Sequence, residues 1–197
     1  MPDKLGNFSG NPRTEWDEER NKPDRTMTVL ELFTYTDPEG TVWDAPARSI
    51  VDGASIPEPL WALVGSPYTG DYRRASIVHD IACDRADTKA KRKAADKMYY
   101  WACRCGGCSK WQATVQYLGV RIGAWIPLVN MWAPLNKKAK TQSQIFQQDA
   151  AAASIVGTFY EIAGEVEPQL DSLAIQDIES IADRHLSNKA KLKSSAA

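Results

Sequence analysis

Two histidines occur in the chain, and one of them stands in a pattern that could move protons. His79 is flanked by Val78 and Ile81 and followed directly by Asp80. On a helix, His79 and Cys83 share a face at i, i+4, while Asp80 is rotated by about 100°. Asp96 sits among small and apolar residues in KAADKMYYWA, and its helical face includes Arg92, Tyr99, Tyr100 and Cys103. If the two helices pack antiparallel, Asp96 accepts the Nδ1–H of His79. That pairing fixes the tautomer and leaves Nε2 as a base near neutral pH. The structural alternatives are a core histidine with a satisfied ring and an Asp96 ion pair with a nearby Arg or Lys.

A third cluster is Asp52-Gly53-Ala54-Ser55-Ile56-Pro57. Small residues around an Asp and a Ser let backbone approach a partner closely, and Pro57 pins the exit. Ser55 with His79 and Asp96 would make a nucleophile, base and orienting acid. Asp52 and Asp80 with His79 would instead hold a divalent cation, calcium or another. Spacing does not choose between these, and a plain turn is the third alternative. His185, in ADRHLSNK, reads as a surface residue near a helix C-terminus. Of the four cysteines, Cys103, Cys105 and Cys108 lie within six residues of one another. Reduced thiols are the expectation for Cys83, Cys103, Cys105 and Cys108. A four-cysteine zinc site is the weaker alternative, because C-x-C-x-x-C plus one distant Cys is not a common finger spacing.

These residues need elements to position them. Residues 1–25 are polar and read as an N-terminal arm. TMTVLELFTYT (26–36) and TVWDAPARSIV (41–51) read as two strands joined at DPEG, the second interrupted at Pro46. Residues 52–70 form an ordered loop with about one turn of helix at Leu60–Val64. Asp71 is expected to cap a helix over 72–86, with Ala75, Val78, Ile81 and Ala82 as its stripe. Thr88 opens a second helix through Cys103, with Ala94, Met98, Trp101, Ala102 and Cys105 on one face, stopped by Gly106-Gly107. A third helical stretch runs over 110–124. Residues 141–187 give an acidic helical extension broken near Pro168, and 188–197 a frayed basic tail. The expected fold class is α+β: a small N-terminal antiparallel β-hairpin or sheet packed on a mainly helical body over 26–135, with a C-terminal helical extension.

The chain has 197 residues and a net charge of −1, but that neutrality is a cancellation. Residues 1–71 carry 6 basic and 13 acidic groups, residues 72–140 carry 14 and 4, residues 141–187 carry 1 and 8, and the tail adds three lysines. The acidic extension is expected to fold back on the basic segment or to pair across subunits. The length suits one domain with an appendage, and the seven Trp and 43% hydrophobic content exclude overall disorder. Tyr117–Leu135 is the most membrane-like stretch, yet Arg121, Asn130, Pro127 and Pro134 make it a poor spanning helix. Membrane-surface contact through Trp125 and Trp132 is the alternative to burial. MPDKLGNFSG has no basic region followed by an apolar run, so no signal peptide is expected and the location is cytoplasmic or virion. Lys89, Lys91, Arg92 and Lys93 cluster without a nucleic-acid motif and read as a solvated helix face.

The run from about Leu32 to Gly123 resembles a phage- and bacteria-borne family catalogued as domain of unknown function 1353. The motifs that carry the resemblance are Asp52-Gly53-Ala54-Ser55-Ile56-Pro57, Gly70-Asp71-Tyr72-Arg73-Arg74-Ala75, His79-Asp80, and Ala95-Asp96 with Tyr99. Arg48-Ser49 stand where that family's pattern has Gly-Phe, Glu58 where Arg is common, and Cys83 where it has Tyr. A His-Asp pair on one helix and an Asp on the next is also weakly similar to phospholipase A2, in which the His is the general base and the adjacent Asp holds calcium. The resemblance implies a phage or prophage-type protein. Two functions are compatible with it. One is a hydrolase of a lipid or cell-envelope substrate, using His79, Asp96 and optionally Ser55, with Asp52, Gly53, Asp80 and Tyr99 supporting. The other is a non-enzymatic virion, morphogenesis or host-interaction protein, in which the His/Asp set is structural and residues 141–187 bind a partner or self-associate.

Overall fold

The computed structural model describes residues 5–18, 26–65, 70–125 and 142–195, without the side chains of 142–148 and 192–195. Among the described residues it is α+β, with six short strands followed by six α-helices. Two compact units divide the chain: residues 1–55 with 66–117, and residues 56–65 with 118–197. The second half of Tyr117–Leu135 lies outside the described residues. Among the described residues no helix is long and apolar enough to cross a membrane.

The first unit holds both sheets. Strands β1 (Asn7–Phe8), β4 (Phe33–Thr36) and β5 (Val42–Ala45) form one antiparallel sheet in the order β1-β4-β5. Strands β2 (Thr14–Trp16), β3 (Met27–Val29) and β6 (Ile50–Val51) form the other, in the order β2-β3-β6. The DPEG hairpin is present between β4 and β5. Asp37 Oδ1 accepts the amides of Glu39 and Thr41 at 2.9 Å each, its Oδ2 accepts Trp43 Nε1–H at 2.9 Å, and Gly40 takes a φ of +86°. Period-two burial on β4 turns Phe33 and Tyr35 inward.

Two local expectations change. The single strand expected over 26–36 is broken at Leu30–Leu32, and its halves join different sheets. Its β-branched and aromatic content marks strand without marking the break. Residues 7–16, inside the expected polar arm, supply an edge strand to each sheet. Phe8 stacks on Phe33 at 5.6 Å between centroids, which explains how a polar segment is retained. Arg48 adopts a φ of +71°, a conformation that suits glycine better.

Helices α2 (Arg73–Asp84), α3 (Lys89–Gly106) and the first half of α4 (Lys110–Trp125) complete this unit. The cap of α2 is Tyr72, with no side-chain cap hydrogen bond, so Asp71 does not play that part. Thr88 does cap α3, accepting from the Lys91 amide at 3.2 Å. Gly107, at a φ of +115°, ends it with the amide of Cys108 bonded back to Cys103. The buried face of α3 carries Ala95, Met98, Tyr99, Ala102 and Cys103, while Ala94 is exposed. It is therefore turned by about one residue from the expected face, because Tyr99 and Asp96 are drawn inside. Residue Asp71, just before α2, abuts Gly106 at the end of α3, so the two helices run antiparallel.

The second unit is helical. A 3₁₀ turn (Glu58–Leu60) and α1 (Trp61–Val64) meet the turns expected at Leu60–Val64, and Trp61 Nε1–H donates to the Ile56 carbonyl at 2.9 Å. Helix α5 (Gln142–Val166) and α6 (Ile175–Ser195) are joined by a 3₁₀ segment (Glu167–Ser172) containing Pro168, where the sequence placed the break. Helix α6 continues through most of the expected frayed tail. Ile155, Phe159, Ile162, Val166, Ile175, Ile178 and Ala182 are buried at helical spacing. Arg121 of α4 pairs with Asp183 of α6 at 2.6 Å, one link between the basic and acidic segments. Within the acidic segment, Glu161 meets Lys189 at 3.0 Å, and Glu165 meets both Arg184 and His185. His185 is thus a mid-helix partner, bonded to Glu165 at 2.8 Å, and not a terminal cap.

Candidate functional site

The α2–α3 pairing brings His79 and Asp96 together in the first unit. His79 Nε2 lies 2.9 Å from Asp96 Oδ1, and both side chains have no exposed surface. A carboxylate only accepts, so the ring nitrogen facing it is the N–H donor and Nδ1 is the lone-pair nitrogen. This is the reverse of the assignment expected from the sequence, in which Nδ1–H faces Asp96. With the helices antiparallel, Asp96 meets the tip of the ring, and Nε2 is the atom at the tip.

The pair has a shell of its own. Arg92 Nε donates to the same Asp96 Oδ1 at 3.2 Å, along one turn of α3. Tyr99 lies against the His79 ring at 4.6 Å between centroids, and its hydroxyl donates to Gln116 Oε1 at 2.9 Å. Cys83 Sγ stands 3.3 Å from Nε2 and 3.7 Å from Nδ1. Burial holds the His79 pKa below its ordinary value despite the Asp96 hydrogen bond that pulls it up. The ring is therefore neutral near pH 7. Burial pushes the Cys83 thiol up.

Asp80 faces another direction. Its Oδ2 accepts the amides of Asp52 and Gly53, at 2.6 and 3.1 Å, and so clasps the Asp-Gly-Ala-Ser loop to α2. Gly53 is buried at a φ of +95°, which supplies the bend. Burial and the neighbouring Asp52 charge push the Asp80 carboxyl well above the usual range, while the Asp52 amide pulls it down. Asp52 is exposed and Ser55 half-buried. Asp96, Cys83 and Tyr99 are the partners of the His79 ring; Ser55 is not among them. The structure thus does not assemble the Ser-His-Asp set.

His79 and Asp80 pull stability in opposite directions with pH. His79 has a lowered pKa in the fold, so its contribution is whole above about pH 6.5 and is lost as pH falls below that. The Asp80 pKa is raised, so its contribution is whole below about pH 4 and declines as pH rises. Asp80→Asn keeps an oxygen for the two amides and removes the opposing titration. Its urea stability is expected to fall between pH 7 and pH 5 by up to about 1.4 kcal/mol per pH unit, more steeply than in the parent chain. A flat profile in that variant would show that His79 titrates normally.

Cys103 and Cys108 hydrogen-bond each other at the end of α3; that bond holds Cys108 below the ordinary thiol range, while burial raises Cys103. Cys105 Sγ donates to the Gly6 carbonyl at 3.5 Å, and all four thiols are free. The four cysteines do not gather around one point. Among the described residues, the His/Cys/Asp/Glu group with metal-ligand proximity is His79, Cys83 and Asp96, whose donor atoms lie within 4.8 Å of one another. Arg92 and Cys83 were legible as residues one helical turn from Asp96 and His79, four positions before the one and four after the other. Gln116 was not, since nothing in the α4 sequence separates it from Gln112.

Residues 27–120 match the model of the family described as protein of unknown function DUF1353. The chain is 35% identical over 118 residues to the uncharacterized protein y4jT of Sinorhizobium fredii, covering 59% of this chain and 33% of that one. It is 30% identical over 165 residues to the uncharacterized protein y4iH of the same organism, covering 77% of this chain and 67% of that one. The chain thus spans a third of the length of the first relative and two thirds of the second. No solved structure matches.

Proposed function

We propose, given that the chain belongs to the DUF1353 family and that the family's description assigns no activity, that it is a hydrolase whose general base is His79. The observation that carries this reading is the buried 2.9 Å bond from His79 Nε2 to Asp96 Oδ1. Asp96 holds the ring in the tautomer that leaves Nδ1 basic and stabilises the imidazolium that forms. Burial keeps the ring neutral and ready to accept. A water attacking an acyl carbon would pass its proton to Nδ1, and the imidazolium would return it to the leaving group. Asp80 and Gly53 position the adjoining loop. The net basic 72–140 segment suits an anionic lipid or cell-envelope substrate. The assay panel is accordingly esters, phospholipids and peptidoglycan. His79→Ala is expected to lower turnover by about 10²–10⁴-fold while the chain stays folded. No turnover by the parent chain, or undiminished turnover by the variant, sinks the hydrolase.

A second reading has its own observation. The His79 ring has no exposed surface, and two clefts of the first unit, about 350 and 260 Å³, are lined by other residues. On this reading the network fixes the α2–α3 packing of a non-enzymatic phage or prophage-type protein. It is the reading that stands if the panel shows no turnover.

A further inference from the structure

We propose that His79, Cys83 and Asp96 form a binding site for one divalent transition-metal ion of the zinc class, and that its occupancy removes His79 from base duty. His79 and Cys83 are one turn apart on α2, which fixes their mutual distance; Asp96 reaches the same point from α3. Sγ is 3.3 Å from Nε2, and Nε2 is 2.9 Å from Oδ1. Bonds of about 2.0–2.3 Å in a tetrahedral arrangement place donor atoms roughly 3.3–3.6 Å apart. Sγ is also 3.7 Å from Nδ1, so it stands over the ring and not beyond Nε2; Cys83 therefore has to rotate to bring its sulfur in line with the ion, and the nitrogen–oxygen edge has to open by a few tenths of an ångström.

The chemistry of the donors selects the ion. An imidazole, a thiolate and a carboxylate suit zinc or cobalt, whereas calcium and magnesium take oxygen ligands. Thiolate and carboxylate together balance a charge of +2. Arg92, which shares Asp96 Oδ1, has a partly exposed side chain and can swing towards solvent as the ion enters. Cys83 is half-buried, which gives the ion a way in. Three protein donors leave a fourth position for water.

Metal on Nε2 replaces the proton there, and the neutral ring must then carry its proton on Nδ1, the nitrogen assigned to catalysis. This consequence rests on the hydrolase reading; the binding does not.

The test is a cobalt titration of the full, reduced, metal-stripped chain. One equivalent is expected to give visible d–d bands of a four-coordinate ion with a thiolate-to-cobalt charge-transfer band. Cys83→Ser is expected to lose the charge-transfer band, and His79→Ala to weaken binding by at least about 100-fold. Cys105→Ser, on a thiol outside the group, is expected to keep both. Absence of saturable one-equivalent binding, or a charge-transfer band that survives Cys83→Ser, overturns the proposal. Turnover without a cobalt band overturns the metal site and leaves the hydrolase; a band without turnover does the reverse.

Discussion

Asp96→Ala is expected to destabilise the chain by about 3–5 kcal/mol, measured by urea unfolding near pH 7. The carboxylate has no exposed surface and accepts from both His79 Nε2 and Arg92 Nε through one oxygen. Alanine leaves a buried imidazole N–H with only the weak sulfur acceptor of Cys83 beside it and takes the counter-charge from a largely covered Arg92 side chain. Unmaking a pair by deleting one partner is the costly case, because the other stays desolvated. Asp96→Asn retains an oxygen for the ring N–H and is expected to lose well under half as much. If the alanine variant stayed within about 1 kcal/mol of the parent chain, the network would not be holding α2 against α3.

Gly106→Ala sets two opposed effects against each other. In a helix interior the change gains up to about 1 kcal/mol from propensity. Here the position of the new Cβ is taken by the carbonyl oxygen of Asp71, far inside van der Waals contact. Backbone, unlike the end of a flexible side chain, cannot step aside without moving the start of α2. Overpacking of this kind costs about 1–3 kcal/mol or more, so a net loss of about 2 kcal/mol is expected. The neighbouring Gly107→Ala is a different lesion, strained by its φ of +115° and not by lack of space. A stabilised Gly106→Ala would show that the two helix ends do not meet.

The helices and the His79–Asp96 pair were legible because several signals agreed. Thr88 and Gly107 bound α3, Pro168 breaks the C-terminal helices, and the short link 85–88 forces α2 and α3 side by side. Once they lie antiparallel, residues 79 and 96 face each other. The choice of ring nitrogen was not legible, since it depends on whether the carboxylate meets the side or the tip of the imidazole. Nor was the role of Asp80. Spacing gave a carboxylate near an Asp-Gly turn, which fits a cation as well as two amides, and the distances of 2.6 and 3.1 Å show that Oδ2 takes the amides. The edge strands at 7–8 and 14–16 escaped detection because two or three residues carry no periodicity, and their pairing is with residues about 10–30 positions away.

The clasp at Asp80 has a consequence for how this region could evolve. Adjacent residues on one helix serve two masters: position 79 answers to α3 and position 80 to the loop at 52–53. Inserting or deleting a single residue ahead of them in α2 would turn both away at once, by about 100°. No compensating change in α3 alone, or in the loop alone, could restore the two contacts together. Helix length on that side is therefore frozen by geometry, whereas Cys83, which lies one turn later and answers to neither, is free to vary and to bring new chemistry with it.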